Sequence, residues 1–352
     1  MEKLLAISDL TVQYLTNNET ITAVDSVNLE IDRNQLLAVI GESGCGKSTL
    51  GLSIIGLLPP NSKASGEIEY KGKNLLSLKQ KQMRNYRGTE VAMIFQEPLT
   101  SLNPVYRVGD QIASAIQLRR LRDDRKDKTE DEVMQKAYRR DAATFSLMQK
   151  PGRKIPKEDK IETVKWLDLV RIADPEQVME RYPFELSGGM AQRVMIAIAL
   201  SQEPALLIAD EPTTALDVTT QAQVLKLMRD LMKQVNTSIL LISHDLAVAS
   251  QVADRIVVMY AGEIAEDAEV HDLFSEPMHP YTKGLLACIP HGTKDDSRFD
   301  AIPGSIPDMR RLPKGCRFNP RCPYAFDHCR STIPKLIRVK ENHRVSCFLY
   351  AK

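Results

Sequence analysis

Eight consecutive residues, Gly41-Glu42-Ser43-Gly44-Cys45-Gly46-Lys47-Ser48, fit the pattern Gly-x4-Gly-Lys-Ser without a mismatch. Glycines at this spacing let backbone N–H groups turn inward around phosphate, because no side chain blocks the approach. The run therefore predicts a phosphate-binding loop for a nucleoside triphosphate. In it Lys47 reaches the β- and γ-phosphates, Ser48 ligates Mg²⁺ through its hydroxyl, and Thr49 helps to hold the phosphates. Gly41, Ser43, Gly44, Cys45 and Gly46 form the rest of the cradle. A second run, Ala205-Leu206-Leu207-Ile208-Ala209-Asp210-Glu211-Pro212, is apolar and closes on two carboxylates. Phosphoryl transfer needs positioning and charge neutralisation more than covalent chemistry. Asp210 is expected to hold Mg²⁺ through water, and Glu211 to polarise the attacking water.

These groups need fixed supports. Gln35–Ile40, before the loop, reads as a buried strand, and Thr49–Ile55, after it, as a helix whose N-terminus adds partial positive charge. Ser238–Ser243 reads as a further buried strand, ending at His244. Leu186-Ser187-Gly188-Gly189-Met190 precedes a predicted helix running to Leu200, with Ser187 as its N-cap.

The last motif resembles the signature of ABC ATPases, in which one subunit's signature closes over ATP held by another. The resemblance implies an ATP-driven clamp that works as a dimer, with Ser187, Gly188 and Gly189 facing the γ-phosphate on the opposite subunit. Met190 departs from the glutamine often found there, with little effect expected on ATP contact. His244 resembles the switch histidine, which contacts the γ-phosphate and helps orient the water. Gln96, in Ile94-Phe95-Gln96-Glu97-Pro98, resembles the glutamine that senses Mg²⁺ and couples to the membrane partner. Ala215-Leu216-Asp217 resembles the loop that crosses the dimer interface, and Tyr14 the N-terminal aromatic that stacks on adenine. The implied fold is α/β: a P-loop ATPase core with an antiparallel β lobe and a helical lobe, plus a small Cys-rich C-terminal extension.

The 352 residues suffice for one large domain and an appendage. The 47 basic and 46 acidic residues leave a net charge of +1, which gives no argument for nucleic acid. No apolar run reaches the roughly 18–20 residues of a membrane helix. Met1-Glu2-Lys3-Leu4-Leu5 leads directly into a strand without a cleavable signal. The chain is thus expected to be soluble and cytosolic, meeting a membrane through partners. Each motif occurs once, which reads as half of an ATPase pair. The expected division is a core over 1–106 and 186–265, a helical subdomain over 107–185, and an extension over 266–352. The helical part holds a charged stretch at 119–160 with 14 basic and 9 acidic residues. That stretch is longer than the resembled family requires and reads as a solvated hairpin or loop, or else a docking surface.

Cys45 lies in the loop, where a thiol reagent is expected to block ATP. Cys288 is expected to be buried in a helix. The other four cysteines, Cys316, Cys322, Cys329 and Cys347, crowd the tail with spacing C-x5-C-x6-C-x17-C. Disulfides do not suit a cytosolic chain, and the gaps do not match the C-x2-C pairs of a zinc ribbon. Four thiolates suit Zn²⁺ or an iron–sulfur cluster, with a metal-free tail as the third reading. Arg317, Arg321 and Arg330 are placed to offset thiolate charge.

A narrower resemblance spans nearly the whole chain. Phe95-Gln96-Glu97-Pro98-Leu99-Thr100-Ser101-Leu102-Asn103-Pro104, Tyr182-Pro183-Phe184-Glu185, His279-Pro280-Tyr281-Thr282 and Gly315-Cys316-Arg317-Phe318-x-x-Arg321-Cys322-Pro323 are similar to the D-type ATPase subunit of dipeptide and oligopeptide ABC importers. The resemblance implies ATP hydrolysis driving peptide import. It also implies a homologous second ATPase subunit, two membrane permeases, an external substrate-binding protein, and a place on the cytoplasmic face of the membrane. Some ATPases of this family carry a four-iron cluster on C-terminal cysteines, so a [4Fe-4S] cluster on the four is expected beside ATP and Mg²⁺. Nickel, glutathione, antimicrobial peptides or oligosaccharides are alternative cargoes, and a soluble ABC ATPase is an alternative class.

Overall fold

The computed structural model describes residues 2–16, 19–123, 155–214, 216–289 and 302–351. Most of the charged 119–160 stretch, and Ala215, lie outside the described residues. The chain divides into two compact units, Met1–Arg84 with Ser238–Lys352, and Asn85–Thr237.

In the first unit, β1 (Lys3–Leu15) and β2 (Thr20–Asp32) form an antiparallel pair, extended by β4 (Ser62–Tyr70) and β5 (Lys73–Asn74) in the order β2-β1-β4-β5. The apolar set of β1 changes parity along the strand: Leu5 and Ile7 are buried, then Leu10 and Val12. A regular strand cannot turn both sets to one side, so the register shifts between Ile7 and Leu10, where Asp9 takes a φ of 48°.

The second sheet of this unit is built on β3 (Leu36–Ile40), every residue of which is buried. A continuous apolar run is what a strand enclosed on both faces requires. β3 pairs in parallel with β8 (Ser238–Ser243) and β9 (Arg255–Tyr260). β10 (Glu263–Glu269) returns antiparallel, and the extension adds β12 (His343–Val345) and β11 (Ile337–Lys340), giving the order β11-β12-β10-β9-β3-β8. The buried Glu266 fixes this addition: it accepts from the N–H groups of Met278 (2.7 Å) and His279 (2.8 Å) and shares a 2.7 Å hydrogen bond with His343. Arg344 Nε donates to Asp267, its register partner, at 2.9 Å.

In the second unit, β6 (Val91–Ile94) runs parallel to β7 (Leu206–Asp210). Around them lie the helices Val108–Asp123, Lys157–Leu169, Gly188–Leu200 and Val218–Val235. Ile112, Ile116, Trp166, Leu167, Val194 and Leu200 are among their buried side chains. At the described edges of the charged stretch, Arg119 donates to Glu203 (2.6 Å) and Ser201 O (3.1 Å), and Arg120 to Glu162 (2.6 Å).

Candidate nucleotide site

In the first unit the loop 41–48 connects β3 to the helix Lys47–Ile54. Two of its glycines are demanded by the backbone. A Cβ on Gly41 would lie 2.3 Å from Met259 O, and one on Gly46, whose φ is 102°, would lie 2.2 Å from Ala23 O. Gly46 is also the N-cap and brings no capping side chain, which leaves the helix start open to an anion. Lys47 is buried, its ammonium donating to Gly41 O (2.8 Å) and Glu42 O (3.0 Å). Ser43, Gly44 and Ser48 are exposed. Tyr14 and Thr49 share a 2.9 Å hydroxyl–hydroxyl hydrogen bond, so those two candidates meet. His244 is exposed beyond β8, and Asp245 caps the next helix by accepting from Val248 N–H at 2.9 Å.

Cys45 is 1% exposed, and burial raises its thiol pKa. The sulfur lies inside the loop, 3.9 Å from Lys47 Nζ, where packing shields it from a thiol reagent. The expectation for Cys288 is corrected: it is exposed at the end of the helix Pro280–Ala287. Sequence reading missed Glu42 and Tyr281 as parts of this site. Glu42 N–H donates to Tyr281 Oη at 3.1 Å, and Tyr281 is fully buried. Glu42 occupies a variable position of the loop pattern, so no signal marked it.

In the second unit, Asp210 is buried at the end of β7 and Glu211 follows it. Gln96 Nε2 donates to Glu211 Oε2 at 3.1 Å, and Thr214 Oγ1 donates to the same oxygen at 2.9 Å. Glu211 has a φ of 45°, a strained conformation for a residue with a side chain. Ser187 caps the helix Gly188–Leu200, accepting from Met190 N–H at 3.3 Å. Asp217 caps Val218–Val235, accepting from Thr220 N–H at 3.0 Å and its hydroxyl at 2.7 Å. A groove of about 430 Å³ beside Asp168, Arg171, Asp230 and Lys233 holds none of the candidate residues.

In the extension, Cys316, Cys322, Cys329 and Cys347 are free thiols that line one pocket with Phe318 and Phe348. Burial pushes Cys316 up to about 12 and raises Cys322 and Cys347, with neighbouring thiols adding to each shift. Among the described residues, no group of three or more His, Cys, Asp or Glu is set to hold a metal ion. The four cysteines share a pocket, and the expected iron–sulfur ligand set is not formed among the described residues. The arginines also do not serve as expected. Arg317 pairs with Asp25 and, at 3.0 Å, with Glu263, while Arg321 pairs with Glu42, and Arg330 is exposed.

Residues 24–214 match the family model described as ABC transporter. The chain belongs to the ABC transporter ATP-binding family. Its ATPase class follows from that membership. Residues 265–329 match the model described as oligopeptide/dipeptide transporter, C-terminal region. The oligopeptide transport ATP-binding protein AppD of Bacillus subtilis (strain 168) is 46% identical over 99% of this chain and 98% of its own length. The dipeptide transport ATP-binding protein DppD of the same organism is 42% identical over 99% of this chain and 95% of its own. Among solved structures, a dimeric ATP-binding cassette in a post-hydrolysis state bound to ADP and Pi superposes with a TM-score of 0.59 at 23% identity, covering 76% of this chain and 99% of the other. An ADP conformation of another ABC transporter cassette gives 0.59 at 22%, covering 80% and 99%. These structures establish the cassette fold. No helix among the described residues is long and apolar enough to cross a membrane.

Proposed function

We propose that this chain is the ATP-hydrolysing subunit that powers peptide import through a membrane ABC transporter. The observation that carries the reading is the near full-length identity to oligopeptide and dipeptide transport ATP-binding proteins, continuing through the C-terminal region. Lys47 and the loop N–H groups bind the β- and γ-phosphates, Thr49 supports them, and Tyr14 stacks on the base. Ser48, Gln96 and Asp210 would hold Mg²⁺, which would supply neutralisation of phosphate charge. Glu211 polarises the attacking water, and His244 orients it against the γ-phosphate. The hydrogen bond from Gln96 supports this assignment, because it fixes the Glu211 carboxylate.

Ser187, Gly188 and Gly189 complete the site of a homologous second ATPase subunit, with Asp217 at the dimer interface. A Cβ on Gly188 would meet nothing within 4 Å. Packing inside the chain thus places no demand for glycine there, whereas close approach of a partner's nucleotide would. Two permeases and an external binding protein complete the machine, with this subunit peripheral on the cytoplasmic face. The division is that of the sequence reading: core over 1–106 and 186–265, helical subdomain over 107–185, extension over 266–352.

The four thiols lining one pocket fit a thiolate-bound centre by donor chemistry, and we assign them to a [4Fe-4S] cluster with a structural or regulatory role. Iron, sulfide and zinc analysis of anaerobically purified protein tests this: about four irons per chain support it, and stoichiometric zinc or no metal overturns it. For the function, a strain lacking the chain is assayed for uptake of labelled di- and oligopeptides. Loss of uptake, restored by the intact chain and not by Glu211→Gln, supports the reading. Unchanged peptide uptake overturns it.

A further inference from the structure

The cysteine-bearing segment of the extension reaches the phosphate loop through two arginines, each the sequence neighbour of a pocket cysteine. Arg321, beside Cys322, is buried and grips both carboxylate oxygens of Glu42, with Nη1 2.8 Å from Oε2 and Nη2 3.3 Å from Oε1. The fork is fixed before it arrives: Nε donates to Pro303 O at 2.9 Å, and the guanidinium lies 5.8 Å from the Tyr260 ring and 6.0 Å from that of Phe318. Arg317, beside Cys316, donates to Ala261 O, and the adjacent Gly262 N–H donates to Cys45 O at 2.9 Å. Cys316 N–H in turn donates to Cys329 O at 2.8 Å, tying the segment to a third pocket cysteine.

Glu42 is therefore held at three points. Arg321 takes its carboxylate, Tyr281 its N–H, and its carbonyl accepts from Lys47. A carboxylate on a loop that binds phosphate is electrostatically adverse unless it is neutralised and turned aside. Arg321 does both, and the Glu42 carbonyl then helps to set the place of the Lys47 ammonium.

We propose that Arg321 is a positioning residue of the phosphate loop, and that through it the four-thiol pocket and the nucleotide site are energetically coupled. The proposal rests on reading residues 41–48 as the nucleotide site. Such coupling is reciprocal: whatever strengthens nucleotide binding through the pocket is itself favoured by nucleotide.

The test uses the full chain and a fluorescent ATP analogue with Mg²⁺, with folding of every variant checked by circular dichroism. Arg321→Ala is expected to weaken binding about tenfold, within the range typical of such coupling. Arg321→Lys should restore part of the loss, and Arg330→Ala, at an exposed arginine of the same segment, should bind as the parent does. Glu42→Gln should weaken binding by less than Arg321→Ala, and adding Arg321→Ala to it should cost less than in the parent background. In the parent chain purified free of bound metal, in which Cys322 and Cys329 are free thiols, saturating nucleotide should slow maleimide labelling of both several-fold. Should Arg321→Ala not fold, the labelling experiment alone decides. Parental affinity in Arg321→Ala, strict additivity with Glu42→Gln, or labelling rates indifferent to nucleotide would overturn the proposal. A parent chain that fails to bind the analogue at all would instead overturn the nucleotide site itself.

Discussion

The side-chain amide of Gln96 lies 3.1 Å from the Glu211 carboxylate, and the oxygen it meets is the one to which Thr214 donates at 2.9 Å. Two donors and a left-handed backbone at Glu211 fix one carboxylate orientation immediately after Asp210. Glu211→Gln keeps an acceptor for both donors and removes the negative charge on which the proposed water-polarising role depends. Hydrolysis by the assembled transporter should fall at least about 100-fold, the lower end for loss of a general base, while ATP binding persists and the closed dimer accumulates. Phosphate release and size-exclusion chromatography with ATP measure the two effects. Turnover at the parental rate would remove Glu211 from this role.

Loop packing makes a thiol prediction that reverses the simple expectation. Cys45 is buried and Cys288 exposed. Brief maleimide treatment of the native chain followed by peptide mass mapping should label Cys288 and spare Cys45, with ATP binding retained. Rapid labelling of Cys45 would contradict the packing.

Gly41→Ala should abolish nucleotide binding even though alanine is small. Its Cβ would meet Met259 O at 2.3 Å and Cys45 Sγ at 2.7 Å, and the first is backbone that cannot rotate away. Gly44→Ala meets nothing within 4 Å and bears only the strain of a φ of 78°, so it should bind with modestly reduced affinity. Titration of both variants with a fluorescent nucleotide separates the cases, and equal losses would refute the distinction.

Ser187→Ala removes the cap that accepts from Met190 N–H. Loss of such a cap costs about 0.5–2 kcal/mol, read as a lower urea midpoint for the variant. Asp217→Ala should cost a comparable amount at the start of the next helix, where two hydrogen bonds from Thr220 are lost.

His279 sets a pH limit on stability. Burial lowers its pKa to about 4, opposed by Glu266, and its Nδ1 accepts from Tyr281 N–H at 3.0 Å, as the neutral ring requires. The unfolded chain takes up this proton near pH 6.5 and the folded chain only near 4. The contribution is therefore complete above pH 6.5 and is lost as the pH falls towards 4, by at most about 3 kcal/mol. Urea unfolding at pH 7 and pH 5 should show the drop, and His279→Gln, which keeps an acceptor without titrating, should flatten it.

The chemistry-bearing residues were legible in sequence because they sit where the chain changes type. Gly41–Ser48, Asp210-Glu211 and His244 each follow a short apolar run of strand length that reads as a buried strand, and Ser187 precedes a helical period. Local spacing carried the cap at Ser187 and the resemblance to ABC ATPases without any long-range contact. What only the tertiary structure decided are the meetings of residues far apart in sequence. Gln96 meets Glu211, Tyr14 meets Thr49, and Arg321 meets Glu42, 279 positions away. Sequence reading assigned Arg317 and Arg321 to the thiolates, because a cysteine was the nearest anionic group along the chain. In the fold the nearest anions are carboxylates brought up by other strands and by the phosphate loop itself. Spacing reports what a residue is and which element bears it, whereas the partner of a buried charge is set by the packing of elements that no local pattern encodes.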